Sequence, residues 1–442
     1  MTAAPGRLVA ALGSPEREIA ELVAWLWRLG PVLDEPAPDA VAVGGPERAA
    51  ELRARVRERR LAGAIVLAAG DAPQGDGLPA RRVVEGVARF GRGLRAEGAH
   101  TVLAEGTAAV RSSLGVHATR DERVLLAGAS AAGWGDLATW WLLPALADFL
   151  PGVLDRPLVA LPPVGCLRLD DAPGTAELQL LGRAKPDDRE RRRLDAMLRA
   201  LERSGSVLVA AVAARALRDG EIVPIEEVWP GSMELLARGV ERGLLEPACH
   251  GLLHLDPREH AAGRVEPREF ARLDREEAGR RLDEALEWIG RRLGPARSFI
   301  APAWGYSEGT LEAAGERGLT TWMPPRPGPL LDAHLLHETL HDGVPGLTGL
   351  SYGPLERLAA VGVPPTVVFH GRLLDDRLPR LRAARDVLSL ARLVRRRDLE
   401  RVAELPDVRW VGAAELTDRL RAHAAGAGEA VLIDARPGRP RR

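Results

Sequence analysis

The stretch Leu167-Arg168-Leu169-Asp170-Asp171-Ala172-Pro173-Gly174 decides how this 442-residue chain is read. An apolar strand ends there on two adjacent carboxylates, and Ala172-Pro173-Gly174 stops it and turns the chain. Neighbouring carboxylates repel, so a cation must neutralise them or one must keep a proton. Alternation along the strand puts Cys166, Arg168 and Asp170 on one face. The acids thus fall at the C-terminal end of a strand, where α/β folds place their chemistry. Taken alone, Asp-Asp before Pro-Gly reads as an ordinary solvated turn. What gives it weight lies downstream: His250 and His254, then His370, each following an apolar, strand-like run.

Composition narrows the class. With 46% hydrophobic and 28% charged residues, the chain reads as a soluble globular protein with room for two or three domains. A net charge of -1 gives no general pull toward nucleic acid or an anionic membrane. The arginines alternate with acids, as over Arg48 to Arg60, which describes a solvated, ion-paired helix face. Cys166 and Cys249 are too few for a disulfide framework, and their apolar settings predict buried thiols. The first apolar run is short and broken by Gly and Pro, and none reaches membrane-spanning length, so a cytoplasmic protein is expected.

Outward from the acidic pair, local signals are clear. Arg189 to Arg203 predicts a helix, Ser206 to Val212 an apolar strand, and Ser232 to Arg242 a helix closed by Gly243. Leu244 to His250 must run extended, because Pro247 forbids a continuing helix. His250-Gly251-Leu252-Leu253-His254 places two imidazoles on one face of either a helix or a strand, a spacing that suits a shared ligand. The competing reading is a pair of histidines satisfied by hydrogen bonds. Asp274 with Glu277 predicts a capping box for a helix through Leu282, Leu286, Ile289 and Leu293. Ser298 to Tyr306 predicts a strand and a Pro/Gly loop with two exposed aromatics, Trp304 and Tyr306, and Ser307 caps the next helix. Thr366 to His370 is a further strand ending on a histidine. Asp332 to His341 carries His334, His337 and His341 in a loop-like setting, which predicts a lid or surface helix and a candidate second metal contribution.

In the N-terminal part, Ser14-Pro15-Glu16 starts a helix carrying Ile19, Leu22, Val23 and Leu26. Leu8 to Leu12, Ala40 to Val43, Ala64 to Ala69, Thr101 to Ala104 and Val124 to Ala127 predict strands. Helices are expected over Glu47 to Arg60 and Pro79 to Glu97, which together predict an open, mostly parallel sheet. Gly63-Ala-Ile-Val-Leu67, a long helix, Arg95 to Leu103 and Ser113 to Val116 loosely resemble the class I glutamine-amidotransferase-like fold. That family needs a cysteine nucleophile, and no cysteine precedes Cys166. Gly128-Ala-Ser130-Ala-Ala-Gly133 approaches a serine elbow, but its second glycine falls one place too late for G-x-S-x-G. Four prolines from Pro151 to Pro163 predict a linker region, with Leu158 to Leu161 as a candidate strand within it.

The order strand-Asp-Asp, H-x-x-x-H, P-x-W-G loop, strand-His resembles the polysaccharide deacetylase superfamily, the carbohydrate esterase family 4 relatives, over residues 158–375. The Arg-Leu-Asp-Asp and Cys-His-Gly forms are most similar to its divergent DUF2334 branch. The resemblance implies an α/β fold with a C-terminal distorted, incomplete (β/α) barrel and a metal-dependent N-deacetylase acting on an amino sugar or sugar conjugate. It implies Asp171, His250 and His254 as metal ligands, Asp170 as general base, His370 as general acid, and Trp304 and Tyr306 lining the substrate cleft. The implied cofactor is Zn²⁺ or another divalent transition metal.

One departure stands out. The family carries an arginine in its third motif that orients the base, and the matching segment here, Phe299-Ile-Ala-Pro302, has none. Arg168, on the face of Asp170, is the expected replacement, so Arg168→Met should keep fold and metal but lose most turnover. The expected division is 1–150, an amidotransferase-like domain without catalysis; 155–425, the catalytic barrel; and 426–442, an Arg-rich disordered tail. The expected partner is a small-molecule or carbohydrate substrate, with no nucleic acid and no membrane, and homo-oligomer formation is left open. Two other readings stay open, a hydrolase of another small amide and a non-catalytic carbohydrate-binding protein.

Overall fold

The computed structural model describes residues 7–10, 14–35, 37–67, 80–85, 100–104, 107–112, 115–121, 124–127, 142–175, 186–263, 266–324, 326, 328–339, 353–370, 399 and 402–434. Strands β1 (Arg7–Ala10), β2 (Ala40–Gly44), β3 (Gly63–Leu67), β4 (Ala80–Glu85), β5 (His100–Ala104), β6 (Thr107–Ser112), β7 (Gly115–Asp121) and β8 (Val124–Ala127) form one sheet. Its order is β1-β2-β3-β8-β7-β6-β5-β4. All five strands expected in this region are present. The sheet is parallel only across β1, β2, β3 and β8, and antiparallel from β8 to β4, which corrects the expectation of a mostly parallel one. The reason is chain length: β5 to β8 are separated by two residues each, enough for a hairpin and far too few for a parallel crossover. A strand also begins at Ala80, where a helix over Pro79 to Glu97 was expected. Val83-Val84 favour a strand there, and residues 86–97 lie outside the described residues. The Gly128 to Gly133 segment lies outside the described residues.

Within Pro151 to Pro163 the candidate strand at Leu158 to Leu161 is present, and the residues before it are largely helical rather than a free linker. The helix Leu142–Leu154 runs through Pro151, and β9 (Leu158–Ala160) follows. In the second sheet, β10 (Val164–Ala172), β11 (Leu208–Val212), β14 (Leu245–Cys249), β15 (Ser298–Ile300), β16 (Thr320–Met323), β18 (Leu335–His337) and β19 (Thr366–His370) all pair in parallel. The order is β17-β18-β16-β15-β14-β11-β10-β19, with only the edge strand β17 (Leu331–Asp332) antiparallel and β20 (Arg409–Trp410) beside the start of β10. The hairpin β12 (Arg215–Arg218) and β13 (Glu221–Pro224) stands apart. Because the strands are parallel, their C-terminal ends share one rim of the sheet. That rim collects Asp170, Asp171, His250, Trp304, Glu338 and His370.

Helices cover this sheet as the sequence patterns require. Asp187–Ser204 buries Leu194, Met197, Leu198 and Leu201. Arg275–Arg292 is capped by Asp274, whose carboxylate accepts from the N–H of Glu277 at 2.9 Å. Ser307 caps Glu308–Glu316 through the N–H of Thr310 at 3.1 Å. The N-terminal helix Ser14–Leu26 joins the same hydrophobic cluster through Ile19, Leu22, Val23 and Leu26. Trp27 donates its indole N–H to the carbonyl of Val361 at 2.8 Å, and the His423 imidazole lies 3.1 and 3.0 Å from the carbonyls of Trp25 and Leu26. The expected disordered tail is ordered at its start, since β21 (Val431–Ile433) pairs with β9. No described helix is long and apolar enough to cross a membrane.

Candidate metal centre

The end of β10 departs from regular strand geometry where the acids sit. The register slips between Leu169 and Ala172, and Asp171 takes a positive φ of 59°. A bulge of this kind re-aims a side chain, so two consecutive carboxylates escape the strict alternation of a strand. His254 (φ 59°), Ala303 (φ 49°) and Trp304 (φ 56°) share the left-handed conformation. Each costs about 1–3 kcal/mol and persists only where surroundings over-determine it. Four of the nine described non-glycine residues with positive φ thus lie at this rim.

Asp171 Oδ1 lies 3.3 Å from His250 Nε2 and 3.0 Å from His254 Nε2, with all three residues buried. These three ligand atoms fall within 4.8 Å of one another, the one such cluster among the described residues. His250 Nδ1 lies 2.8 Å from the carbonyl of Ile300. Donation there leaves the Nε2 lone pair facing Asp171, the arrangement that orients a metal-binding imidazole. No hydrogen-bond donor is aligned with Asp171 Oδ1 despite the short distances. Two ligands of one Zn²⁺, each about 2.0–2.2 Å from the ion in tetrahedral geometry, stand about 3.3–3.6 Å apart; Asp171 and His250 meet that spacing at 3.3 Å, and His254, at 3.0 Å, needs only a small outward shift. The donor set and its spacing therefore fit a divalent cation. Electrostatics agree: burial alone would raise the Asp171 carboxyl, but His254 and His250 hold it well below its usual range. Burial lowers the His254 imidazole, and Asp171 outweighs it and raises it. A positive charge is wanted at this point.

Beside the trio, Arg168 grips Asp170 through Nε to Oδ1 and Nη2 to Oδ2, each 2.8 Å. Its Nη1 donates to Glu338, and both partners are fully buried. The guanidinium carbon lies 5.1 Å from the ring centres of Trp304 and of Trp322. Asp170, Asp171 and Glu338 are three buried carboxylates beside the one guanidinium of Arg168, so a cation held by Asp171, His250 and His254 would offset negative charge that Arg168 does not. Glu338 was missed in the sequence, as was Glu269, fully buried and bonded to the backbone of the His254 turn. Nothing local separates either from the many solvated acids.

The remaining expected site residues fall as follows. His370 ends β19 in backbone register with Asp170. Trp304 and Tyr306 are half-buried rather than exposed. Of the histidine cluster, His334 and His337 are not on a surface helix: His334 lies in the β17–β18 turn, 3.0 Å from the carbonyl of Leu311, and His337 ends β18, 3.1 Å from that of Pro324. Neither joins a metal cluster among the described residues, and His341 lies outside them. Cys166 and Cys249 are buried free thiols, and burial pushes Cys249 up to about 12.

No family model matches the chain, and no curated protein does. Among solved structures, a polysaccharide deacetylase from Mycobacterium smegmatis is similar at 15% identity over 63% of this chain and 94% of its own, with a TM-score of 0.35. A family 4 carbohydrate esterase from Streptomyces lividans is similar at 11% identity over 57% and 94%, with a TM-score of 0.32. A 4-alpha-glucanotransferase from Thermococcus litoralis is similar at 12% identity over 58% and 39%, with a TM-score of 0.36. Likenesses this distant set neither fold nor activity, and the residues of the site carry the reading.

Proposed function

We propose that this chain is a metal-dependent hydrolase of the polysaccharide-deacetylase kind, removing an N-acetyl group from an amino sugar or sugar conjugate. One observation carries the reading: Asp171, His250 and His254 converge at metal-ligand spacing beside a carboxylate held in an arginine fork. A divalent cation, Zn²⁺ or another transition metal, would supply Lewis-acid chemistry there, polarising an amide carbonyl and acidifying a water.

The chain's own residues do the rest. Asp170 takes the proton of the attacking water, because each carboxylate oxygen keeps a free lone-pair direction after accepting from Arg168. Arg168 fixes the carboxylate's orientation, replacing the family's third-motif arginine. His370 delivers a proton to the departing amine, without which amide cleavage stalls. Trp304 offers an apolar ring face to a sugar and, with Tyr306, lines the cleft. The Arg-Leu-Asp-Asp and Cys-His-Gly forms support the DUF2334-type branch. Residues 155–425 form the catalytic unit, and residues 1–150 pack against it without chemistry of their own.

Acetate release from a panel of N-acetyl amino sugars, with and without chelator, tests this. Chelator-sensitive acetate is expected. Turnover only of other amides would favour the small-amide hydrolase, and carbohydrate binding without any turnover would leave a binding protein.

A further inference from the structure

The turn that carries His254 is folded around an acid with no part in the proposed chemistry. Glu269 Oε2 accepts from three successive backbone N–H groups, those of Leu252 at 3.1 Å, Leu253 at 3.0 Å and His254 at 2.9 Å. Successive N–H groups converging on one point form an anion-binding nest; here the chain fills it with its own carboxylate. Glu269 Oε1 lies 3.3 Å from Arg281 Nη1, and Arg281 Nε is held by Glu277 at 2.8 Å on the capped helix Arg275–Arg292. A buried carboxylate needs such a partner. The turn is also shaped to admit it: Gly251 has φ +86°, and a Cβ there would stand 2.6 Å from Glu269 Oε2 and 2.9 Å from the Phe270 ring.

Resting on the reading of Asp171, His250 and His254 as a metal centre, we propose that Glu269 is its positioning residue. It fastens the backbone of residues 252–254 in the turn that sets His254 Nε2 beside Asp171, so cation affinity depends on a side chain that touches no cation. The control is selective. His250 is held separately by the Ile300 carbonyl, so loosening Glu269 releases one ligand of three. Partners in this outer layer typically govern metal affinity by about 10–100-fold.

The test is a Zn²⁺ titration of the full chain against a chromophoric competitor, paired with the visible spectrum of the Co²⁺-loaded protein and thermal unfolding of the metal-free protein. Glu269→Gln keeps the volume and an oxygen acceptor. It should weaken Zn²⁺ by about 10–100-fold and alter the Co²⁺ spectrum. Asp274→Ala, which removes only the helix cap, should lower the melting temperature and leave affinity and spectrum unchanged. If Glu269→Gln does not fold, Glu269→Leu with Arg281→Leu removes the pair together and takes its place. Wild-type affinity in the Glu269 variant overturns the proposal, as does an equal affinity loss in Asp274→Ala. A wild-type chain that binds no Zn²⁺, or binds it unchanged in His254→Ala, overturns the metal centre itself.

Discussion

Arg168 and Asp170 meet as a planar fork, with two parallel hydrogen bonds of 2.8 Å inside the protein. An arginine presents its donors in a fixed plane, which a lysine cannot imitate. Arg168→Lys should therefore keep fold and metal but let Asp170 swing. Misplacing a catalytic group by about 1 Å can cost 10²-fold in rate, which is the loss expected in kcat. Full turnover in Arg168→Lys would show that the fork has no part in catalysis.

Arg168 also stands between two carboxylates, Asp170 and Glu338. The sequence alone suggested that Arg168→Met would leave the fold untouched. Burial against Glu338 changes that expectation, because removing the shared cation strands both acids. The cost should be about 3–5 kcal/mol, and Arg168→Met with Glu338→Leu should recover part of it. Urea denaturation of the two variants checks this. A single variant no less stable than the double would contradict it.

Asp170 and Asp171 are neighbours with separate partners, so their substitutions should separate as well. Asp170→Asn should retain bound metal and lose acetate release. Parallel loss of metal and activity would place Asp170 among the ligands instead.

Much of this was legible because the signals are local. A cap is decided within four residues, so Asp274 and Ser307 were readable. Pro247 forced the extended run into His250, and a polar residue ending an apolar strand marked Asp170, His250 and His370. The bulge at Asp171 was not readable, since it depends on pairing with β11. Nor were Glu269 and Glu338, whose partners lie 12 and 170 residues away in sequence. In a chain with 28% charged residues, a buried acid looks like a solvated one until the fold supplies its arginine.

His337 gives a pH dependence with a definite sign. Burial pushes its imidazole down from 6.5 to about 4. Between those values the unfolded chain binds a proton that the folded chain refuses, so stability falls as pH drops through that window and is unaffected above it. His337→Gln should flatten the difference in urea midpoint between about pH 7 and about pH 5. An unchanged slope would mean that His337 is protonated in the folded protein.

The metal content of the chain after exposure to Zn²⁺ and removal of the excess tests the trio most directly. One ion per wild-type chain and essentially none in Asp171→Ala is the expected result. Equal zinc in both proteins, or none in the wild type, would contradict a site built from Asp171, His250 and His254.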